Sequence, residues 1–220
     1  MDNEGLETGR REPFLKAPAS LLVLCGLLAA SYAAELWFGR DGAIALFGFT
    51  PADLTGASWW RIFTALFLHA NFLHIAMNTG FVLALGGPPA RVIGRGIRGG
   101  VAYLLFFLAC GGLASLFHTA IEQGRDWILI GASGAASGLF GASARILQGE
   151  GVIGSLLGRR FLGMAAGWIV FNMIFVIRPV GELMAGGPVS WQAHVGGFIA
   201  GALLIGVFQR FGGGALERGY

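Results

Sequence analysis

The chain has 220 residues, of which 55% are hydrophobic and only 12% are charged, with 38 glycines and a mean hydropathy of +0.69. These values exclude a soluble globular domain and predict an all-α, polytopic membrane protein. The net charge of +3 does not indicate binding to nucleic acid, because the basic residues lie in short gaps between apolar runs, where they orient helices.

The N-terminal part of the chain contains a tail, a first span and a loop. Residues 1–16 are polar and of mixed charge, which predicts a short cytoplasmic tail. The apolar run 17–38 is long enough for an uncleaved membrane span of about 20 residues, and too long for a signal-peptide core. Residues 39–70 mix aromatic and polar side chains, including Trp59 and Trp60, which predicts a structured loop lying partly in the headgroup region.

Five further apolar segments predict helices two to six, at 72–85, 101–121, 127–147, 161–177 and 189–208. The six-helix domain therefore covers 17–210, and a short cytoplasmic tail follows at 211–220. Six spans place both termini on one side of the membrane, and eleven of the 15 Lys and Arg residues lie on that side. The positive-inside rule then predicts a multi-pass protein of the cell (inner) membrane with both termini in the cytoplasm.

Small residues recur four positions apart in two of these helices. Gly134, Gly138 and Ala142 form one such line in the fourth helix, and Gly197 and Gly201 form another in the sixth. A helix face without side chains lets a neighbouring backbone approach closer than the usual 8 to 10 Å between axes. The pattern predicts close packing of helices four and six; taken alone, it is also common in membrane helices that have no chemical role.

Helices two, four and six all enter the membrane from the non-cytoplasmic side, and each has polar side chains soon after its start: His74 and Asn78, Ser133, and His194. Polar groups in hydrocarbon are costly unless they face one another or a cavity, so we expect a shared wet pocket that opens to the outer face. The close helices would bring Ser133 within hydrogen-bond reach of His194, as a nucleophile and its general base.

Helix two supplies the other parts of this predicted site. His74 and Asn78 lie at i and i+4 on one helical face, and both can donate hydrogen bonds to an oxyanion, together with the backbone N–H of Ser133. His69 lies just outside the span, in a supporting position. A zinc site is disfavoured because His69 and His74 fit one helical face poorly, and no carboxylate or thiol is near them in sequence. No aspartate lies within a predicted span to orient the imidazole, which favours a Ser–His dyad over a triad.

These motifs together resemble the rhomboid family of intramembrane serine proteases. The matching positions are Trp60-Arg61, the His69, His74 and Asn78 cluster, Gly131-Ala132-Ser133-Gly134, and Ala193-His194-Val195-Gly196-Gly197. The resemblance implies a catalytic serine at Ser133, a catalytic histidine at His194, and oxyanion stabilisation by His74 and Asn78. It also implies hydrolysis of peptide bonds in or beside transmembrane segments of membrane-protein substrates in the lipid bilayer, without metal or nucleotide.

One departure from the family concerns the position four residues after the serine. It is often aromatic in the family and stacks on the histidine, whereas this chain has Ser137. The orientation of His194 must therefore come from another residue.

Two other readings of the sequence are possible. A catalytically silent rhomboid-like protein that binds client helices is disfavoured, because both Ser133 and His194 are present. A small transporter is disfavoured because the chain shows neither internal repeats nor a polar path through the whole membrane. The sequence leaves the substrate and the oligomeric state open.

Overall fold

The computed structural model describes residues 17–122 and 127–214. The predicted tail at 1–16 and most of the predicted tail at 211–220 lie outside these ranges. Within them the chain is helical, and its only β pairings are two isolated bridges, one of them between Phe49 and Leu129. The predicted all-α class is confirmed.

In chain order, the α-helices of the described ranges are α1 (Ala19–Phe38), α2 (Arg40–Phe47), α3 (Arg61–Thr64), α4 (Phe72–Leu85), α5 (Gly87–Ile93), α6 (Gly96–Ile121), α7 (Ser133–Gln148), α8 (Arg159–Val176), α9 (Arg178–Ala185) and α10 (Trp191–Gly212). Short 3₁₀ turns at Pro51–Thr55 and Ala65–Phe67 complete the first loop. Four helices, α1, α6, α8 and α10, are long and apolar enough to cross a membrane.

The predicted count of six spans is therefore not exactly confirmed for the described residues, although α4 has the bounds predicted for helix two. In the described part of the chain, a fifth span exists only if α3 and its 3₁₀ turn are joined to α4, and these two parts are bent by 98°. α4 and α7 have 14 and 16 residues, which is short of the roughly 20 needed to cross the hydrocarbon. α7 is buried along most of its length, where a short helix is tolerated because other helices shield its ends from lipid, whereas α4 buries one face and exposes the other.

The centre of the bundle is the contact between α7 and α10, which also pack on α6. A Cβ atom added at Gly197 would collide with the carbonyl oxygen of Gly134, and one at Gly201 would collide with that of Gly138. The two backbones therefore touch, as the small-residue lines predict. We call this contact the glycine seam.

α8 lies at the margin of the bundle and is held mainly by side chains. Of its residues only Phe161 and Asn172 are buried. The Trp168 ring packs against Phe81 of α4 and Phe140 of α7, with ring centroids 6.2 and 5.0 Å away. α8 therefore forms a wall beside α4 and α7, which we call the α8 wall.

Candidate active site

Ser133 is the first residue of α7, not a residue within a helix that starts at 127 as the sequence predicts. The preceding segment is held by other contacts: Leu129 exchanges two backbone hydrogen bonds with Phe49, at 2.7 and 3.1 Å, and the N–H of Gly131 donates to the carbonyl of Ala65 at 2.8 Å. Gly131 has φ +107°, outside helical geometry and rarely adopted by other residues. Because of these contacts, the helix begins at Ser133 and not at Trp127.

This later start has a chemical consequence. The first N–H groups of an α-helix have no intrahelical acceptor, so the N–H of Ser133 is available to a ligand. The helix dipole also places partial positive charge at this end of α7. Had the helix begun at Trp127, the same N–H would have been used inside the helix. The structure thus leaves a backbone donor beside the Ser133 hydroxyl.

Ser133, His194 and His74 line one cavity of about 580 Å³. The glycine seam brings the first turn of α7 against the first turn of α10, which is why residues 61 positions apart in sequence share this cavity. Among the described residues, no hydrogen bond joins the Ser133 hydroxyl to the His194 ring. In enzymes without substrate such bonds are often long, and they shorten when substrate binds.

His74 and Asn78 both lie against the loop that leads to Ser133. A Cβ atom built on Gly131 would be 2.8 Å from His74 Nε2 and 3.5 Å from Asn78 Nδ2. The N–H of Ala70 donates to His74 Nδ1 at 3.4 Å, so the neutral ring carries its proton on Nε2, towards this loop. Asn78 Nδ2 is buried and has no hydrogen-bond partner among the described residues. The two side chains therefore direct donors at one place.

His69 is completely buried behind His74, with the two ring centroids 5.1 Å apart. Its backbone N–H donates to both carboxylate oxygens of Glu35, at 3.2 and 3.1 Å. The sequence analysis did not identify Glu35, although an ionisable residue inside an apolar run is a signal of a buried partner. This contact attaches α1 to the segment that precedes the candidate oxyanion donors.

The Trp60-Arg61 motif lies in the first loop and outside the cavity. The Arg61 guanidinium forms an ion pair with Asp53 at 3.3 Å and lies over the Trp60 ring, 5.8 Å from its centroid. Asp53 also accepts a hydrogen bond from the N–H of Thr50 at 2.7 Å. These contacts stabilise the loop whose residue Phe49 pairs with Leu129, so the motif acts on the site only through the backbone.

Ser137 and Asn172 are two further polar residues near the pair. The Ser137 hydroxyl donates to the carbonyl oxygen of Ser133 at 2.8 Å, as serines within helices often do, and within the described part of the chain it forms no hydrogen bond with His194. Asn172 of α8 lies beside His194, with Oδ1 2.5 Å from the ring Nδ1. The sequence analysis did not identify Asn172, although a single amide side chain in an otherwise apolar segment indicates a polar partner inside the bundle.

Comparison with known proteins supports the resemblance. A family model described as Rhomboid domain matches residues 56–211. The chain is 32% identical over 152 residues to RHOMBOID-like protein 1 of Arabidopsis thaliana, covering 68% of the chain and 34% of the relative. It is 29% identical over 150 residues to Rhomboid-related protein 2 of Mus musculus, covering 64% and 45%.

A bacterial relative shows a similar degree of likeness. The chain is 27% identical over 143 residues to Rhomboid protease GluP of Bacillus subtilis, covering 65% of the chain and 25% of the relative. The chain thus spans less than half the length of each of these three curated relatives.

Proposed function

The chain belongs to the rhomboid family, and from that membership together with the geometry of the cavity we propose that it is an intramembrane serine endopeptidase. It hydrolyses peptide bonds in or next to transmembrane segments of other membrane proteins. The observation that carries the proposal is the position of Ser133 at the N-terminus of α7, in a cavity shared with His194 and His74.

In the proposed first step the Ser133 Oγ attacks the carbonyl carbon of the scissile bond, while Nε2 of His194 accepts the hydroxyl proton. The carbonyl oxygen becomes an oxyanion. It receives hydrogen bonds from the N–H of Ser133, from Nε2–H of His74 and from Nδ2–H of Asn78. The unpartnered amide of Asn78 supports this role, because a buried donor without an acceptor is costly until a ligand supplies one.

The intermediate then collapses, and the C–N bond breaks as His194 returns its proton to the leaving amine. The product is an acyl ester on Ser133. A water molecule in the cavity next loses a proton to His194 and attacks the ester carbon, which releases the carboxylic acid and restores the hydroxyl. The cavity is large enough to hold several water molecules.

The same geometry limits the substrates. A peptide bond within an α-helix is surrounded by side chains and uses its carbonyl in a helical hydrogen bond, so the helix must open before Ser133 can reach it. Glycine, proline or polar residues near the cleavage point would assist this opening. The cavity is lined largely by small residues, including Ala114, Gly134 and Ala193, which favours small side chains at the scissile position. The membrane orientation predicted from the charges places this cavity on the non-cytoplasmic side.

The proposal is tested by chemical labelling of the reconstituted protein. We expect a fluorophosphonate probe to form one covalent adduct on the Ser133 Oγ, located by peptide mass spectrometry. The probe should also stop cleavage of a single-span reporter protein in the same liposomes, because only an activated serine reacts with it. Heat-denatured protein serves as the control and should not be labelled. An adduct on Ser137 would contradict the assignment of the nucleophile; a native protein with neither adduct nor cleavage would favour the silent, client-binding alternative.

The oxyanion donors give a second prediction. Asn78→Ala removes a buried donor without removing the nucleophile, so kcat should fall by about 10²- to 10³-fold while KM changes little. His74→Ala should behave in the same way. Leu83→Ala, on the exposed face of the same helix, is the matched control and should retain the kcat of the wild type. Steady-state kinetics on the reporter measure all three, and an unchanged kcat in Asn78→Ala would remove Asn78 from the oxyanion site.

A further inference from the structure

We propose that Asn172 is a positioning residue that holds the His194 imidazole in the one tautomer able to accept a proton from Ser133. This inference rests on the proposed function and adds a third group to the Ser–His pair. It also accounts for the departure at Ser137, where the family often has an aromatic side chain that packs on the histidine. In this chain the orienting group comes from a different helix, α8.

The orientation of the Asn172 amide follows from its two contacts. Its Nδ2 lies 2.8 Å from the carbonyl oxygen of Trp168, one turn earlier in α8. A carbonyl oxygen can only accept a hydrogen bond, so the amide nitrogen must be the atom on that side. The amide oxygen therefore faces His194, and the assignment does not depend on distinguishing oxygen from nitrogen by position alone.

The orientation of the Asn172 amide determines which nitrogen of the His194 ring carries the proton. Oδ1 of Asn172 can only accept, so Nδ1 of His194 must carry the proton that forms the 2.5 Å hydrogen bond. A neutral imidazole carries a single proton, which leaves a lone pair on Nε2. Nε2 is thus the basic nitrogen. A dyad without a carboxylate needs some group for this task, since either tautomer of a free imidazole can form.

The environment makes this hydrogen bond effective. Asn172 is 1% exposed and His194 is 8% exposed, so water does not compete for the ring Nδ1–H. In an apolar surrounding a hydrogen bond is stronger than in water, and losing it leaves a buried donor without a partner. The backbone of His194 is held independently by the glycine seam, so a change at residue 172 should alter the ring and leave the backbone in place.

Two isosteric variants test the inference by kinetics. Asn172→Leu keeps the branched shape and loses the acceptor, whereas Asn172→Asp keeps an acceptor oxygen in the same position. We expect kcat on the transmembrane reporter to fall about a hundredfold in Asn172→Leu with KM unchanged, and to stay within about tenfold of wild type in Asn172→Asp. Val170→Leu, at a position that is 67% exposed on the same helix, is the control and should not change kcat. A kcat in Asn172→Leu within threefold of wild type would overturn the proposal.

A spectroscopic readout separates this proposal from the proposed function. In protein carrying ¹⁵N-labelled histidine in nanodiscs, the His194 signals should report a protonated Nδ1 and an unprotonated Nε2, assigned by their loss in His194→Gln. Asn172→Leu should shift both signals towards a mixture of tautomers, and Asn172→Asp should not. This measurement needs no cleavage, so it decides the role of Asn172 even if the wild type cuts no reporter. Unchanged signals in Asn172→Leu, with or without a lower kcat, would show a merely structural role.

Discussion

Ser133→Ala and His194→Ala are each expected to reduce cleavage of a transmembrane reporter by about 10⁴-fold or more, because each removes one half of a unit that works only together. The double variant should be no worse than either single one, since losses within such a unit do not add. Product formation by the reconstituted protein, followed over hours, gives the rates.

The matched control for Ser133→Ala is Ser137→Ala, the same change one turn further along α7. Its hydroxyl bonds only to the carbonyl oxygen of Ser133, which already accepts within the helix, so activity should stay within about threefold of wild type. More than one per cent of the wild-type rate remaining in Ser133→Ala would contradict the assignment of the nucleophile. A similar residual rate in His194→Ala would contradict the assignment of the base.

Gly201→Ala is expected to give the second large effect, this time on both stability and activity. The added methyl group would meet the carbonyl oxygen and carbon of Gly138, which are backbone atoms and cannot rotate away. The helices must separate, at a cost of about 3 kcal/mol in the free energy of unfolding. A shift of about 1 Å between α7 and α10 would also reduce kcat about a hundredfold, because Ser133 and His194 lie on opposite sides of the seam.

Gly206→Ala, on the same helix α10, is the control for this experiment. The nearest atom to its added Cβ would be Ile153 Cδ1 at 3.7 Å, an ordinary contact. Alanine also has the higher helix propensity, so this variant should be as stable as wild type or more stable. Unfolding midpoints in a denaturing detergent series, with kcat measured in parallel, distinguish the two variants. Equal stability of Gly201→Ala and Gly206→Ala would contradict the seam as described.

The sequence predicts those parts of the molecule that depend on local periodicity. Small residues four apart predict that α7 and α10 touch, and the glycine contacts show it. The shared position of four polar residues in three helices predicts one pocket; Ser133, His194 and His74 do line one cavity, whereas Asn78 is not part of its lining. Both inferences use only the helical repeat and the cost of polar groups in hydrocarbon.

Other parts depend on contacts between distant residues, which periodicity does not reveal. α7 starts at Ser133 because Leu129 pairs with Phe49, 80 positions earlier in the chain, and an apolar run alone cannot show that. Asn172 lies 22 positions from His194, and Glu35 lies 34 positions from His69. Each of these two polar residues was visible in the sequence, but its partner was set by the packing of another helix.

The glycine seam also determines where this protein can change over evolutionary time. For the proposed protease, substitutions that alter substrate preference have to avoid the backbone contact between α7 and α10, because any side chain added there would displace Ser133 and His194 relative to each other. Apart from Asn172, the α8 wall carries no such restriction, because its contacts with α4 and α7 are made by side chains such as Trp168 and not by touching backbones. Apart from Asn172, the positions open to such change and those that hold the proposed reacting groups lie on different helices of the same bundle.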